Sequence, residues 1–476
     1  MPSPFLQALS RGTLIFDGAM GTATHAFDLD VDRDYLGKEN CPEILVRSRP
    51  ELIQSVHESF YAVGSDCVET DTFGGMPHVL AEFDLSHEAF ALNKAAAELA
   101  RAAAGKHSTK DKPRFVVGSM GPGTKLVTLG NIDWDAMHAS YREQARGLLA
   151  GGVDALIIET CQDLLQVKCV INAVLAALDE QNKTALDVPI MASVTIETTG
   201  TMLLGTEIAA AAQALAQYPI CSLGLNCATG PTEMTEHVRW LGQHWGAMGS
   251  RVLREARVSR HGPARRPISI MPNAGLPVLV EGRTEFPLSP NAFASAMLDF
   301  VQRDGVGIVG GCCGTTAAHI GALVKALESG GAAHTSASSS TRALSAGASI
   351  TPSSAPTAAA AHEPVTPEPG VTSLYGVQEY RQDNSILIIG ERMNASGSRA
   401  FKKLLEAEDW DGMVSLAREQ VRHDGAHVLD INVDYAGRDN ARDMAELVRR
   451  VVRQVNIPLM LDSTQVKTIE AGLKHA

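Results

Sequence analysis

The sequence predicts an α/β chain: a (β/α)8 TIM barrel, a flexible linker, and the first βα units of a second, incomplete (β/α)8 barrel. Three observations predict it. Short apolar runs alternate with longer helical patterns eight times within residues 1–329. Residues 330–373 are Ala, Ser, Thr and Pro with almost no large apolar side chain. The alternation then resumes over residues 374–476. Strands separated by helices pair in parallel through right-handed crossovers, and eight such units close a barrel. An open doubly wound sheet is the alternative. It is disfavoured because Gly121-Pro122-Gly123 lacks the third glycine of a dinucleotide fingerprint.

Taken in order, the first strand is Thr13-Leu14-Ile15-Phe16, ending in Asp17-Gly18-Ala19-Met20-Gly21-Thr22. A helix from Pro50 carries Leu52, Ile53, Val56 and Phe60 at helical spacing. The next strands are Cys67-Val68-Glu69-Thr70, Phe115-Val116-Val117-Gly118, Ala155-Leu156-Ile157-Ile158 and Ile190-Met191-Ala192-Ser193-Val194. Helices are expected over 87–104, 134–150, 163–178 and 207–216. The remaining strands are Ser222-Leu223-Gly224-Leu225, Ile268-Ser269-Ile270-Met271 and Val306-Gly307-Ile308-Val309, with helices at 231–241, 290–303 and 316–328.

The stretch at 330–373 cannot bury enough surface to offset the entropy of ordering, which predicts a linker. Beyond it, strands are expected at Ile386-Leu387-Ile388-Ile389-Gly390, Val428-Leu429-Asp430-Ile431-Asn432 and Pro458-Leu459-Met460-Leu461-Asp462. Three βα units do not close a barrel, so the chain reads as a fragment of a longer protein. Residues 246–267 carry six arginines. They read as a solvated insertion ahead of a patch for an acidic partner.

A formal net charge of −13 argues against nucleic-acid binding. No apolar run approaches the roughly 18 residues that span a bilayer. Eight cysteines without regular short spacing, and a start lacking signal-peptide features, predict a reducing cytoplasmic setting.

Barrel enzymes place their chemistry at the carboxyl ends of the strands. Asp17, Thr70, Asp71, Ser119, Glu159, Asn226, Cys227, Asn273, Cys312 and Cys313 all fall there. Cys312 and Cys313 sit between glycines, and adjacent cysteines do not readily pair with each other. With Cys227 near them across the mouth, three thiolates and an open fourth position make a catalytic-zinc pattern. Cys161 lies just past a strand end; Cys41, Cys67, Cys169 and Cys221 are expected to pack as small apolar residues. A metal-bound substrate thiol loses its proton and becomes a nucleophile. Asp17 and Glu159 are candidates for a substrate ammonium, against turn-capping and rim salt-bridge readings. The amides of Gly18 to Gly21 are candidates for a carboxylate.

These motifs, with Asn40-Cys41-Pro42-Glu43, Glu69-Thr70-Asp71-Thr72-Phe73-Gly74-Gly75 and Met271-Pro272-Asn273-Ala274-Gly275, resemble the barrel of homocysteine S-methyltransferases over residues 10–328. The resemblance implies zinc on Cys227, Cys312 and Cys313, with homocysteine sulfur as a further ligand. It implies that Asp17 and Glu159 grip the amino acid, with Gly18, Thr70, Ser119 and Asn226 lining the site. Gly390 to Arg399, Leu429-Asp430-Ile431-Asn432 and Leu461-Asp462-Ser463 resemble the opening of a pterin-binding barrel. There Asn394, Asp430, Asn432 and Asp462 are candidates for a pterin edge. The domain order is similar to that of cobalamin-dependent methionine synthases. That implies a methyl group passing from 5-methyltetrahydrofolate to cobalamin and then to homocysteine, with methylcobalamin on a module outside this chain. No Asp-x-His-x-x-Gly cobalamin motif is present. The alternatives are a cobalamin-independent enzyme using betaine or another small donor, and a non-catalytic zinc-stabilised scaffold.

Overall fold

A computed structural model describes residues 2–248, 266–280, 282–337, 365 and 367–476. Eight parallel strands make one sheet: β1 (Leu14–Ile15), β2 (Cys67–Glu69), β3 (Phe115–Met120), β4 (Ala155–Cys161), β5 (Ile190–Val194), β6 (Ile220–Asn226), β7 (Ile268–Met271) and β10 (Ile308–Val309). Their order is β1-β10-β7-β6-β5-β4-β3-β2, each strand beside its sequence neighbour. The two ends meet where Asp66 N–H donates to the Ile15 carbonyl at 2.7 Å and Glu69 N–H donates to the Asp17 carboxylate at 3.0 Å. The sheet is therefore a barrel, as the eight-fold alternation predicts.

The strands are buried on both faces, which is why they read as unbroken apolar runs. Every residue of β3, β5, β6 and β7 is buried. Helices Pro50–Val63, Ala89–His107, Trp134–Ala150, Leu164–Asp179, Ile208–Leu215, Pro231–His244, Pro290–Asp304 and Ala317–Ala337 follow the strands in turn. Asp133 and Ser289 cap the helices at Trp134 and Pro290 through their side chains, and Gly64 and Gly305 end the helices from Pro50 and Pro290 in the left-handed conformation. The short helix Pro4–Leu9 closes the amino-terminal end. Its Phe5 ring meets Phe115, at the start of β3, edge-on with centroids 5.6 Å apart.

Several features depart from the sequence reading. A hairpin, β8 (Val278–Val280) with β9 (Arg283–Glu285), stands between β7 and its helix. Its strands are three residues long and exposed, so neither apolar periodicity nor length announced them. Arg266, read as part of a solvated insertion, is buried: its guanidinium lies over the Trp245 ring at 4.4 Å and donates to the Ala216 carbonyl. Residues 249–265 of that insertion lie outside the described residues. Within the span read as linker, the helix from Ala317 runs on to Ala337, and β11 (Gly370–Thr372) pairs antiparallel with β12 (Val377–Glu379).

The carboxy-terminal region has its own core around Met393, Phe401, Leu429, Ile431, Met444 and Leu447. Its strands β13 (Ile389–Asn394), β14 (Val428–Asn432) and β15 (Leu459–Asp462) are parallel and adjacent in that order. The run expected as a strand from Ile386 is shifted: β13 begins at Ile389, where pairing with Val428 starts, and Ile386 is 78% exposed. Among the described residues no helix is long and apolar enough to cross a membrane.

Candidate metal centre

Three thiols from two strand ends converge at the carboxyl end of the barrel. Cys227 follows β6; Cys312 and Cys313 follow β10. Cys313 Sγ lies 3.9 Å from Cys227 Sγ and 4.0 Å from Cys312 Sγ, and all three lie within 4.8 Å of one another. Zinc–sulfur bonds of about 2.3 Å in a tetrahedron put sulfurs about 3.8 Å apart, so the donor set fits zinc in type and spacing. Among the described residues no fourth His, Cys, Asp or Glu atom joins the group.

The backbone holds this arrangement. Cys227 N–H donates to the Met271 carbonyl, Cys312 N–H to Pro272, and Ala274 N–H to the Cys313 carbonyl. Glycines are required in the turn before the pair: a Cβ on Gly310 would lie 2.7 Å from Phe16 Cβ, and one on Gly311 would run into the Thr315 side chain. Cys227 and Ala228 adopt left-handed φ values of 61° and 56°. Non-glycine residues in this conformation cost about 1–2 kcal/mol each. The cost is borne at the turn that aims the thiol. Hydrogen bonds from Cys227 and Cys312 hold the Cys313 thiol down to about 3, with burial opposing. Its interactions with Cys227 and then with Cys313 hold Cys312 well above the usual thiol range, and burial adds to them.

Carboxyl groups line the same cavity, which has a volume of about 610 Å³. Asp17 is pushed well up by burial, against the hydrogen bond from Glu69 N–H. Glu159 is pushed up to about 7 by burial; its bond to Ser119 opposes this and the nearby Cys227 adds to it. Ser119 Oγ donates to Glu159 Oε1 at 2.6 Å and Asn226 Nδ2 to Oε2 at 3.1 Å. The Asn226 amide is fixed in turn, its Oδ1 accepting from Thr160 N–H and Ser193 Oγ. Glu69 is raised by burial and then by Glu159 and Asp17. Among the described residues no Lys or Arg lines the cavity, so the four carboxyls of Asp17, Glu69, Asp71 and Glu159 face a space with room for a cation.

The sequence-predicted residues Asp17, Gly18, Thr70, Ser119, Glu159, Asn226, Cys227, Cys312 and Cys313 all line this one cavity. Their availability differs. The Thr70 hydroxyl is engaged by Thr72 Oγ1 and Ser119 N–H. Gly18 lets two turns meet: a Cβ there would lie 2.8 Å from the Thr315 carbonyl and hydroxyl. In the candidate carboxylate nest, Ala19 N–H is already committed to Thr315. Cys161 packs inside with its thiol against the Glu159 carbonyl, and Cys41, Cys67, Cys169 and Cys221 are buried apart from the cluster. Sequence reasoning missed Glu69, Thr284 and Phe286. Glu69 carried a signal, because it ends the strand whose next residue was already placed at the mouth. Thr284 and Phe286 arrive on the unforeseen hairpin and its return.

In the carboxy-terminal region the four candidate residues also sit together. Asn394 Nδ2 donates to Asp430 Oδ2 at 3.1 Å, and Asn432 Nδ2 to Asp462 Oδ2 at 2.9 Å. The result is amides and carboxylates side by side across three strand ends. Burial raises Asp430, against the bond from Asn394.

Known proteins match both regions. The sequence family described as Homocysteine S-methyltransferase matches residues 14–327. The chain belongs to the homocysteine S-methyltransferase family. A second family, Pterin binding enzyme, matches residues 390–476. The chain is 41% identical over 470 residues to methionine synthase of Mycobacterium tuberculosis (strain ATCC 25618 / H37Rv) and 40% identical over 470 residues to that of Mycobacterium leprae (strain TN). Each alignment covers 99% of this chain and 35% of the relative, so the chain spans about a third of their length. Among solved structures, the metallated form of the homocysteine methyltransferase MmuM from Escherichia coli superposes with a TM-score of 0.50 at 23% identity. That likeness covers 67% of this chain and 98% of MmuM, and shows the barrel fold of this homocysteine S-methyltransferase family member.

Proposed function

We propose that the barrel is the homocysteine-binding, methyl-accepting part of a methionine synthase. Cys227, Cys312 and Cys313 hold zinc, and Asp17 and Glu159 hold the ammonium group of homocysteine. The observation that carries this reading is one cavity with three thiols at metal-binding spacing and clustered carboxyls beside them. When bound, zinc favours the thiolate form of the substrate sulfur at neutral pH.

The chain's residues supply binding and position. Ser119 and Asn226 fix both oxygens of Glu159, so the substrate's ammonium meets an oriented acceptor. Glu159 lies close enough to Cys227 and Cys313 to interact electrostatically with both. A short amino acid can therefore reach from the carboxyls to the thiols. Met20, Phe73, Met271 and Phe286 make apolar walls that displace water around the sulfur. Holding the nucleophile aligned, with no general base, is the main contribution to rate.

The methyl group enters on methylcobalamin, a reactant presented by a module outside this chain and replenished from 5-methyltetrahydrofolate. Asn394, Asp430, Asn432 and Asp462 form part of the folate site. Residues 1–329 act as the homocysteine module, 330–373 as the connection and 374–476 as part of the pterin module, in the cytoplasm. The pterin-family match beyond residue 390 favours this over a betaine-type donor. The three-ligand thiol set, without a fourth protein donor among the described residues, favours it over a structural zinc scaffold.

Calorimetry of the zinc-loaded chain with L-homocysteine, followed by single turnover with free methylcobalamin, tests the reading. Zinc-dependent binding and formation of methionine are expected. Equal binding after complete zinc removal contradicts it.

A further inference from the structure

The loop Asp71–Gly75 is fastened on every side. Thr72 Oγ1 donates to the Ser119 carbonyl at 2.7 Å. Gln144 Nε2 reaches the Thr72 carbonyl at 2.7 Å and Asn93 Nδ2 the Gly75 carbonyl at 2.6 Å. Gly74 N–H donates to Glu43 Oε1 at 2.5 Å, and Gly121 N–H to the Phe73 carbonyl at 3.0 Å. Against this background the Asp71 side chain stands out. It is 5% exposed, its Oδ2 is buried without a hydrogen-bond partner, and it lines the cavity of the thiols.

A buried carboxylate with no partner is costly, whereas a buried carboxylic acid is tolerated. The surroundings of Asp71 push the same way. Burial raises it first and the Glu43 charge behind it second. Glu43 is itself buried and accepts from the Cys41 thiol. Tyr35 and Cys41 also feel the Asp71 charge, Glu69 lies two residues back, and His25 lines the same cavity. No Lys or Arg is among these groups. Homocysteine also brings a carboxylate, and the Ala19 amide that was a candidate to receive it is committed to Thr315.

We propose that Asp71 is a substrate-binding residue that acts as a neutral carboxylic acid and donates a hydrogen bond to the carboxylate of the amino-acid substrate. It rests on the homocysteine reading above. Asp71 then selects for a free carboxylate, while the Asp17, Glu69 and Glu159 side takes the ammonium. Asparagine keeps a donor at this place; alanine does not.

The test is calorimetric titration of the zinc-loaded full chain with L-homocysteine and with 3-aminopropane-1-thiol, which lacks the carboxylate, from pH 6 to 9. Wild type, Asp71→Asn and Asp71→Ala are compared. Asp71→Ala is expected to weaken homocysteine binding about 10- to 100-fold, the range of a hydrogen bond to a charged group. Asp71→Asn should stay within about 3-fold of wild type near pH 6. Wild-type affinity should fall as pH rises and Asp71 loses its proton, relative to a flatter Asp71→Asn profile. Binding of the aminothiol should be the same in all three proteins, which also shows that the alanine variant is folded. Equal homocysteine binding by wild type and Asp71→Ala overturns the proposal while leaving the homocysteine reading intact. So does weakened binding in Asp71→Asn that matches the alanine variant, because Asp71 then acts as an ionised acceptor. Failure of the wild type to bind homocysteine removes both.

Discussion

The two regions solve the same task, polar groups at the ends of parallel strands, with different degrees of enclosure. In the first, eight strands close on themselves and bury Asp17, Glu159 and Asn226 to 6% exposure or less. In the second, three strands bring Asn394, Asp430, Asn432 and Asp462 into line, while Ile389 and Met460 remain 45% and 41% exposed. Enclosure changes the chemistry available. Burial raises the carboxyls in both regions and neighbouring carboxyls add to it in both, but only the first adds thiols. The first gathers thiols and buried carboxyls round one cavity, and the second sets amides and carboxylates side by side at three strand ends.

The largest expected effect separates the regions most sharply. Cys312→Ala should reduce bound zinc from one equivalent to a trace and abolish methyl transfer, with unchanged far-ultraviolet circular dichroism. The motive is the shared thiol cluster. Stoichiometric zinc and full activity in the variant would refute it. Next, Glu159→Gln should weaken homocysteine binding by roughly 10- to 100-fold while leaving zinc content unchanged, since it removes one charged hydrogen-bond acceptor. Zinc loss in that variant would mean that Glu159 supports the metal rather than the amino acid.

Smaller effects concern pH. Glu159 is raised from about 4.5 to about 7, so its folded form prefers the proton. Its contribution to stability is complete below about 4.5 and is lost as pH rises through about 7. Ligand-free protein should therefore lose melting temperature over that window, and Glu159→Gln should flatten the slope. His57 behaves in the opposite sense. It is fully buried with both ring nitrogens unpartnered, and burial lowers it to about 4. Its contribution is present above about 6.5 and is lost as pH falls through about 4. His57→Leu should reduce acid sensitivity with no change in homocysteine affinity; an unchanged acid transition would assign that sensitivity elsewhere. The smallest effect on the barrel should come from Asp430→Asn. It should leave zinc and homocysteine binding untouched while weakening pterin binding in the full-length context.

Legibility in the sequence followed the same contrast. The closed barrel was readable because strands buried on both faces must be apolar throughout, as in Ile190–Val194 and Ala155-Leu156-Ile157-Ile158. The thiol set was readable because Cys312 and Cys313 stand between glycines at the end of β10, and Cys227 stands at the end of β6 on the same rim of the barrel. Glu69 was missed because its importance depends on Asp17 across the barrel seam, a contact between residues 52 apart. Thr284 and Phe286 were missed because a short exposed hairpin has no buried face to impose a pattern. In the carboxy-terminal region the apolar run from Ile386 pointed to a strand three residues too early. Pairing with Val428–Asn432, rather than hydrophobicity, sets where β13 begins.

The central claim is that three protein thiols leave a place for the substrate's sulfur. X-ray absorption at the zinc edge, on the loaded full chain with and without L-homocysteine, tests it directly. Three sulfur neighbours are expected before addition and four after. A count that is four from the start, or that stays at three with homocysteine bound, would contradict it.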